Sequence, residues 1–216
     1  MKKIAIYGAG GFGREVLLLI EQINAHKPEW KFEGFFDDGI PAGTMVNDFA
    51  VLGSLDAAND YSSELYLVIA VGNPNIKRKI VESINNPQII YPTLIHPGVT
   101  INQKWVSIGK GSIITAGNII TVNISIGDHV IVNLQCSIGH DTVIHDYCSL
   151  MPGVRVSGEV VLHENVYIGT GASIINQVTV GKNTIIGAGA VVTKNLPSDC
   201  TAVGVPATPI KQKEKL

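Results

Sequence analysis

The stretch VNLQCSIGHDTVIHDYCSLMPG, Val132 to Gly153, has an aliphatic residue at every sixth position and a His-Asp pair, His140-Asp141, near its centre. The same step carried outward, from Ile108 to Val192, meets fifteen aliphatic residues in fifteen positions. Two residues before most of them stands a small or β-branched residue, as at Ser112, Cys136, Thr142, Cys148, Val154 and Ala172. A period of six cannot keep one face of a helix of about 3.6 residues per turn. It is the hexapeptide signature of a parallel β-helix, in which each hexad gives one short strand and a corner.

Three hexads close a triangular coil, so residues 18 apart stack at the strand spacing of about 4.8 Å. Val122, His140, Gly158, Asn176 and Lys194 therefore form one column. A glycine beside His140 leaves its backbone N–H free to face a ligand. Asp141 is adjacent in sequence and Asn133 lies in the preceding hexad, so both are candidate partners for the imidazole. His145 and His163 should also stack, but Gly127 and Gly181 flank them and supply no third ligand, so no metal site is expected. Ile95 and Ile101 suggest an earlier partial coil, displaced by one extra residue near Trp105. The proline-rich NLPSDCTAVGVPATPI should leave the β-helix and pack along its side or onto a neighbour.

Residues 1–90 read differently, as a small α/β domain with a parallel sheet, and residues 91–216 as the β-helix with its tail. Lys3 to Tyr7 has a strand pattern, GAGGFG is a turn, and REVLLLIEQINAH has helical spacing. Gly8, Gly10 and Gly13 fit the dinucleotide fingerprint, with Asp37 and Asp38 at the end of the next strand. Amides at such a turn bind any phosphate, and the acids any ribose or base edge, so the motif indicates a nucleotide rather than nicotinamide specifically. A domain this short favours a mononucleotide or a nucleotide sugar.

Composition closes off other classes. A net charge of −2 offers no field for nucleic acid, and the one charged block is the short tail at 211–215. No apolar run reaches the length of a membrane span, and the N-terminal apolar segment is too short for a signal peptide, so a cytoplasmic protein is expected. Cys136, Cys148 and Cys200 have no metal-site or redox spacing and read as packing residues.

The order of IYGAGGFGREV, FFDD, VIAVGNPNIKRKI, LIHPGVTI, the stretch quoted first, IIGAGAVVTKNLP and AVGVPA resembles the PglD/NeuD-type sugar acetyltransferases among the hexapeptide acyltransferases. The resemblance covers nearly the whole chain. It implies a left-handed β-helix, a homotrimer, acetyl-CoA bound between neighbouring β-helices, and a nucleotide-linked amino sugar on the N-terminal domain. It implies His140 as general base, Asp141 as its supporting acid, Asn133 as a site asparagine, and Gly158 as the amide that polarises the thioester. Nucleotide-sugar contacts would fall on Gly8, Gly10, Gly11, Phe12, Gly13, Asp37, Asp38, Gly72 and Asn73. Coenzyme contacts would fall on Ser149, Gly158, Gly171, Gly189 and Val203, Gly204, Val205, Pro206 and Ala207. Phe12 stands where well-described members carry a histidine in the glycine loop, and Ser149 where some carry a second histidine. The expectation is direct N-acetylation without a metal. O-acetylation of a sugar hydroxyl, a nicotinamide-dependent enzyme and a non-catalytic scaffold are the alternatives.

Overall fold

The computed structural model describes residues 1–212, so the end of the charged tail lies outside the described residues. The chain divides into two compact units at Pro97/Gly98 rather than at residue 90. The first unit runs past residue 90 because Leu94–Ile95 packs against the helix Gly11–His26.

In the first unit the elements are β1 (Lys2–Tyr7), α1 (Gly11–His26), β2 (Trp30–Phe36), β3 (Met45–Val46), β4 (Phe49–Gly53), α2 (Leu55–Asn59), β5 (Leu65–Ile69), α3 (Pro74–Ser83) and β6 (Ile89–Ile90). The sheet order is β3-β4-β2-β1-β5-β6. It is mixed, not wholly parallel, because β3 and β4 form a hairpin. Its two-residue turn, Asn47-Asp48, has φ of 44° and 66°, the left-handed pair that matches strand twist in tight hairpins. Helix α1 starts three residues earlier than its apolar spacing suggests, so only Gly8 to Gly10 is turn. Val16, Leu17, Leu19 and Ile20 of α1 are buried, as are Ile4, Ile6, Phe35, Leu67 and Ile69 of the strands. Each such burial contributes about 1.5–3 kcal/mol.

The second unit is a parallel β-helix. Its two- and three-residue strands pair at a constant step of 18, as in Ile113, Ile131, Ser149, Tyr167 and Ile185 on one side. Ile119, Ser137, Arg155, Ser173 and Val191 form the outer row of a second side. Fourteen of the fifteen periodic aliphatic residues are buried, and Ile108 in the first coil is partly so. The residues two before them form a second interior ladder, with Ser112, Thr142 and Thr184 turning their hydroxyls onto backbone carbonyls. All three cysteines are buried.

Each corner is made by the third residue after the aliphatic one. Asn123, His129, Gln135, Asp141, Tyr147, Glu159, Asn165, Gln177 and Asn183 all have φ of 54–62° there, and Gly153, Gly171 and Gly189 occupy the same position. At the first coil Thr100 bridges Ile119, 19 residues away, whereas Val106 pairs with Ile124 at 18. The extra residue expected near Trp105 is thus present. At the other end the step shortens to 16, with Leu196 against Val180 and Thr201 against Ile185. The tail does not leave the β-helix as expected: Cys200–Gly204 adds a parallel strand to it, and Ala207–Gln212 returns antiparallel along that strand. Leu196, Cys200 and Ala202 enter the core, which is the apolar reason it stays.

Candidate active site

His140 follows the strand Ser137–Ile138 and Gly158 follows Arg155–Val156, its neighbour in the ladder. A Cβ at Gly158 would lie 2.5 Å from His140 Nε2 and 2.6 Å from Cε1, so the imidazole rests directly on the bare Cα. A side chain there would displace the ring. His140 Nδ1 is 2.8 Å from Asp141 Oδ2, and Asn123 donates to Asp141 Oδ1 at 3.0 Å. Asp141 can turn its carboxylate toward its own neighbour because it occupies the left-handed corner, φ 58°, which short polar side chains tolerate. The bonds from His140 and then Asn123 hold its carboxyl below the usual carboxylate range. A carboxylate on Nδ1 fixes the proton there and leaves Nε2 as the basic atom. The side chains of His140 and Asp141 are 57% and 50% exposed, so the dyad is open to a reactant.

The Gly158 N–H has no hydrogen-bond partner among the described residues. On another corner the corresponding amides of Lys110 and Asp128 are taken by the carboxylates of Asp128 and Asp146. The Gly158 amide is therefore a free donor beside the imidazole. Cys136 is no alternative nucleophile, since burial pushes its thiol up to about 11 and it stays protonated at neutral pH.

Gly153, Gly171 and Gly189 stack at one corner, next to the side that carries Arg155 and Ser173. The equivalent positions of the other corners mostly carry side chains, so the corner conformation does not by itself demand glycine here. A Cβ at Gly171 or Gly189 would meet nothing within 4 Å. The result is an open trough, of which sequence reading named Gly171 and Gly189 and missed Gly153. Val203 and Gly204 end one strand of the terminal hairpin, Val205-Pro206 forms its tip with Val205 73% exposed, and Ala207 opens the return strand.

In the first unit β1 lies between β2 and β5, and the loops after these three parallel strands share one end of the sheet, a topological switch point where nucleotides bind. Gly8 donates to Phe36 O at 2.7 Å, and Ala9 N donates to Asp37 Oδ2 at 2.9 Å. Gly13 is required by packing, since a Cβ there would lie 1.9 Å from Gly8 O. Gly10 and Gly11 open onto free space at the start of α1, where amides can meet a phosphate. Asp38 accepts from Tyr7 Oη at 2.6 Å and from Leu55 N at 2.9 Å. Burial, then Asp38, raises the Tyr7 phenol well above its ordinary value. Asp37, Asp38, Gly39, Pro41, Gly53 and Asp56 are among the residues lining a cleft of about 610 Å³.

The family pattern of the PglD N-terminal domain matches residues 3–84, and that of the bacterial transferase hexapeptide (six repeats) matches residues 159–194. A GDP-perosamine N-acetyltransferase of Escherichia coli O157:H7 is 33% identical over 160 residues, 74% of this chain and 72% of that protein. The chain belongs to the PglD-type hexapeptide acetyltransferases. Two solved structures align with this PglD-type chain over almost its full length. The acetyltransferase domain of PglB from Neisseria gonorrhoeae FA1090, in complex with acetyl coenzyme A, is 32% identical with a TM-score of 0.85, covering 97% of this chain and 99% of that one. PerB from Caulobacter crescentus, in complex with CoA and GDP-perosamine, is 28% identical with a TM-score of 0.84, covering 98% of both.

Two expected site residues of this PglD-type chain, Asn133 and Ser149, are placed differently from their sequence reading. Asn133 is not bonded to His140: it is buried, and its Oδ1 accepts from Leu134 N at 2.7 Å. The residue that completes the dyad is Asn123, which sequence reading missed although it lies 18 before Asp141. Ser149 is fully buried in its strand and is not brought to the open surface. Asn73 caps α3, its Oδ1 accepting from Asn75 N and Ile76 N, while Gly72 precedes it in the loop. Phe12 lies in the first turn of α1, partly exposed. His145 and His163 stack at 5.3 Å with rings 1° from parallel, and no metal-binding group of three ligands occurs among the described residues. Among the described residues no helix is long and apolar enough to cross a membrane.

Proposed function

We propose that the chain transfers the acetyl group of acetyl-CoA to the amino group of a nucleotide-linked amino sugar. The observation that carries this is the His140-Asp141 dyad resting on the bare backbone of Gly158. The amine nitrogen attacks the thioester carbon, and Nε2 of His140 takes the proton released as the C–N bond forms. The Gly158 amide donates to the tetrahedral oxyanion. Collapse breaks the C–S bond, and the imidazolium returns its proton to the departing thiolate of CoA. Attack is direct, with no acyl-enzyme. Glycine-loop amides at Gly10 and Gly11 hold the nucleotide phosphates, and Asp37 and Asp38 shape the neighbouring cleft. The coenzyme lies between two protomers, against the His140 column of one and the trough of Gly171 and Gly189 of the next, which ends at the Val203–Ala207 hairpin.

The ligands named for PerB and the activity named for the Escherichia coli relative support this reading and make GDP-perosamine the first acceptor to test. Purified protein with acetyl-CoA and a panel of UDP-, dTDP-, GDP- and CMP-linked amino sugars is expected to release free thiol with at least one of them. Thiol release with every hydroxyl-bearing acceptor and no amine would replace N- by O-acetylation.

The active form in this reading is a cytoplasmic homotrimer. Val122, Leu134, Ile175 and Ile119 of the β-helix are 39–50% exposed, an apolar surface that a second copy would cover, and the dyad itself is half open. Light scattering at micromolar concentration should give three times the 23.0 kDa chain mass. A monomer with full activity would remove the intersubunit coenzyme site.

A further inference from the structure

The column that holds His140 continues upward in a way the chemistry so far leaves unused. Above the bare Gly158 come Asn176 and Lys194, both exposed, and neither makes a side-chain hydrogen bond or ion pair among the described residues. The step of 18 is kept up to Val192, two residues before Lys194, where Val192 pairs with Ile174 and Ile175 N donates to Val192 O at 3.1 Å, and it shortens to 16 by Leu196. Lys194 is thus three coils above His140, about 14 Å at the strand spacing. Other cations are occupied or elsewhere. Arg155 is turned back onto the carbonyls of Gln135 and Val154, and Lys182 belongs to the corner column of Asp128, Asp146 and Glu164.

That distance has a chemical counterpart. In acetyl-CoA about 13 bonds separate the thioester sulfur from the first phosphorus, and at the per-bond extension of a stretched polypeptide they span about 15 Å. The second amide of the arm comes after about 8 bonds, near 9 Å, and Asn176 stands two coils above His140, near 10 Å. We propose that Lys194 holds the diphosphate of acetyl-CoA and that Asn176 hydrogen-bonds the second amide of its pantetheine arm. This rests on the acetyl-CoA reading of the site. A cation on a phosphate and an amide on an amide bind ground state and transition state alike, so they set coenzyme affinity rather than turnover.

Calorimetric titration with CoA alone tests this without an acceptor. Lys194→Ala is expected to weaken CoA binding by about 10-fold, more at low salt than at high. Lys194→Arg should retain it, Asn176→Ala should lose about 5-fold, and Lys182→Ala should match wild type. In turnover, Lys194→Ala should raise the KM for acetyl-CoA with kcat and the acceptor KM little changed. With S-acetylpantetheine, which lacks phosphate, it should equal wild type. Acetyl-dephospho-CoA should show the same penalty as acetyl-CoA; loss of the penalty there would assign Lys194 to the 3′-phosphate and overturn the diphosphate contact. Wild type that binds CoA while Lys194→Ala binds it equally well overturns the inference alone. Wild type that binds no CoA overturns the acetyl-CoA reading as well.

Discussion

Replacing His140 by alanine is expected to lower kcat at neutral pH by at least about 100-fold with little change in either KM, because a general base is lost while the binding surfaces remain. The loss should shrink as pH rises, since the sugar amine then sheds its proton to solvent before it attacks. Asp141→Asn should fall between wild type and the alanine variant, keeping a hydrogen-bonding side chain but losing the charge that steadies the imidazolium. The Asp141 carboxyl is held below its ordinary range by His140 and Asn123, so its interaction is present at neutral pH and is lost only as pH falls through that lowered value. Steady-state rates over a pH series measure all three effects. A His140→Ala enzyme with near-normal turnover on a verified acceptor would leave the imidazole as a corner residue only.

Gly158→Ala is expected to be nearly as damaging as loss of the imidazole itself. Its methyl would lie 2.5 Å from Nε2, inside any tolerable contact, and the exposed imidazole is the group free to move. A kcat reduced by about 100-fold with Tm little changed is the expected signature, because the backbone at Gly158 has no conformation that excludes alanine. The double variant His140→Ala/Gly158→Ala should be little worse than the poorer single variant, since the methyl acts through a ring no longer there. Losses that multiply would place the effect on the Gly158 amide instead.

The juxtaposition of His140 and Gly158 was readable as arithmetic, because a constant step of 18 converts position in the chain into position in space. The same arithmetic explains a misreading. Asn133 is close to His140 along the chain, but an interval of about one hexad is a third of a turn, which puts it at a different corner. Asn123 was the better candidate, one full coil from Asp141. The left-handed corners were not legible from the glycines that follow many of the aliphatic residues, because the position that needs them comes two residues later and is filled by Asn, Gln, Asp, Glu, His or Tyr more often than by glycine. In the first unit the opening strand, the glycine turn and the helix after it followed from periodicity. The hairpin at Asn47-Asp48 did not, since its first strand, Met45–Val46, is too short to leave a pattern. The bonds of Asp37 to Ala9 and of Asp38 to Tyr7 depend on a strand pairing that no local signal announces.

The hairpin that closes the β-helix has a consequence for solubility. A stack of parallel strands ends in a row of unpaired backbone groups, a template on which another molecule could add and so propagate into a fibre. Here Thr201 takes up the last rung against Ile185, and the chain then doubles back, so the outermost strand on that side is Ala207–Gln212 running the opposite way. It presents the wrong polarity for another parallel coil, and Pro209 within it has no N–H to offer an incoming strand. Cutting the chain after Gly204 would strip this guard while leaving the ladder below it intact, and the shortened protein should grow end-to-end polymers where the whole chain does not.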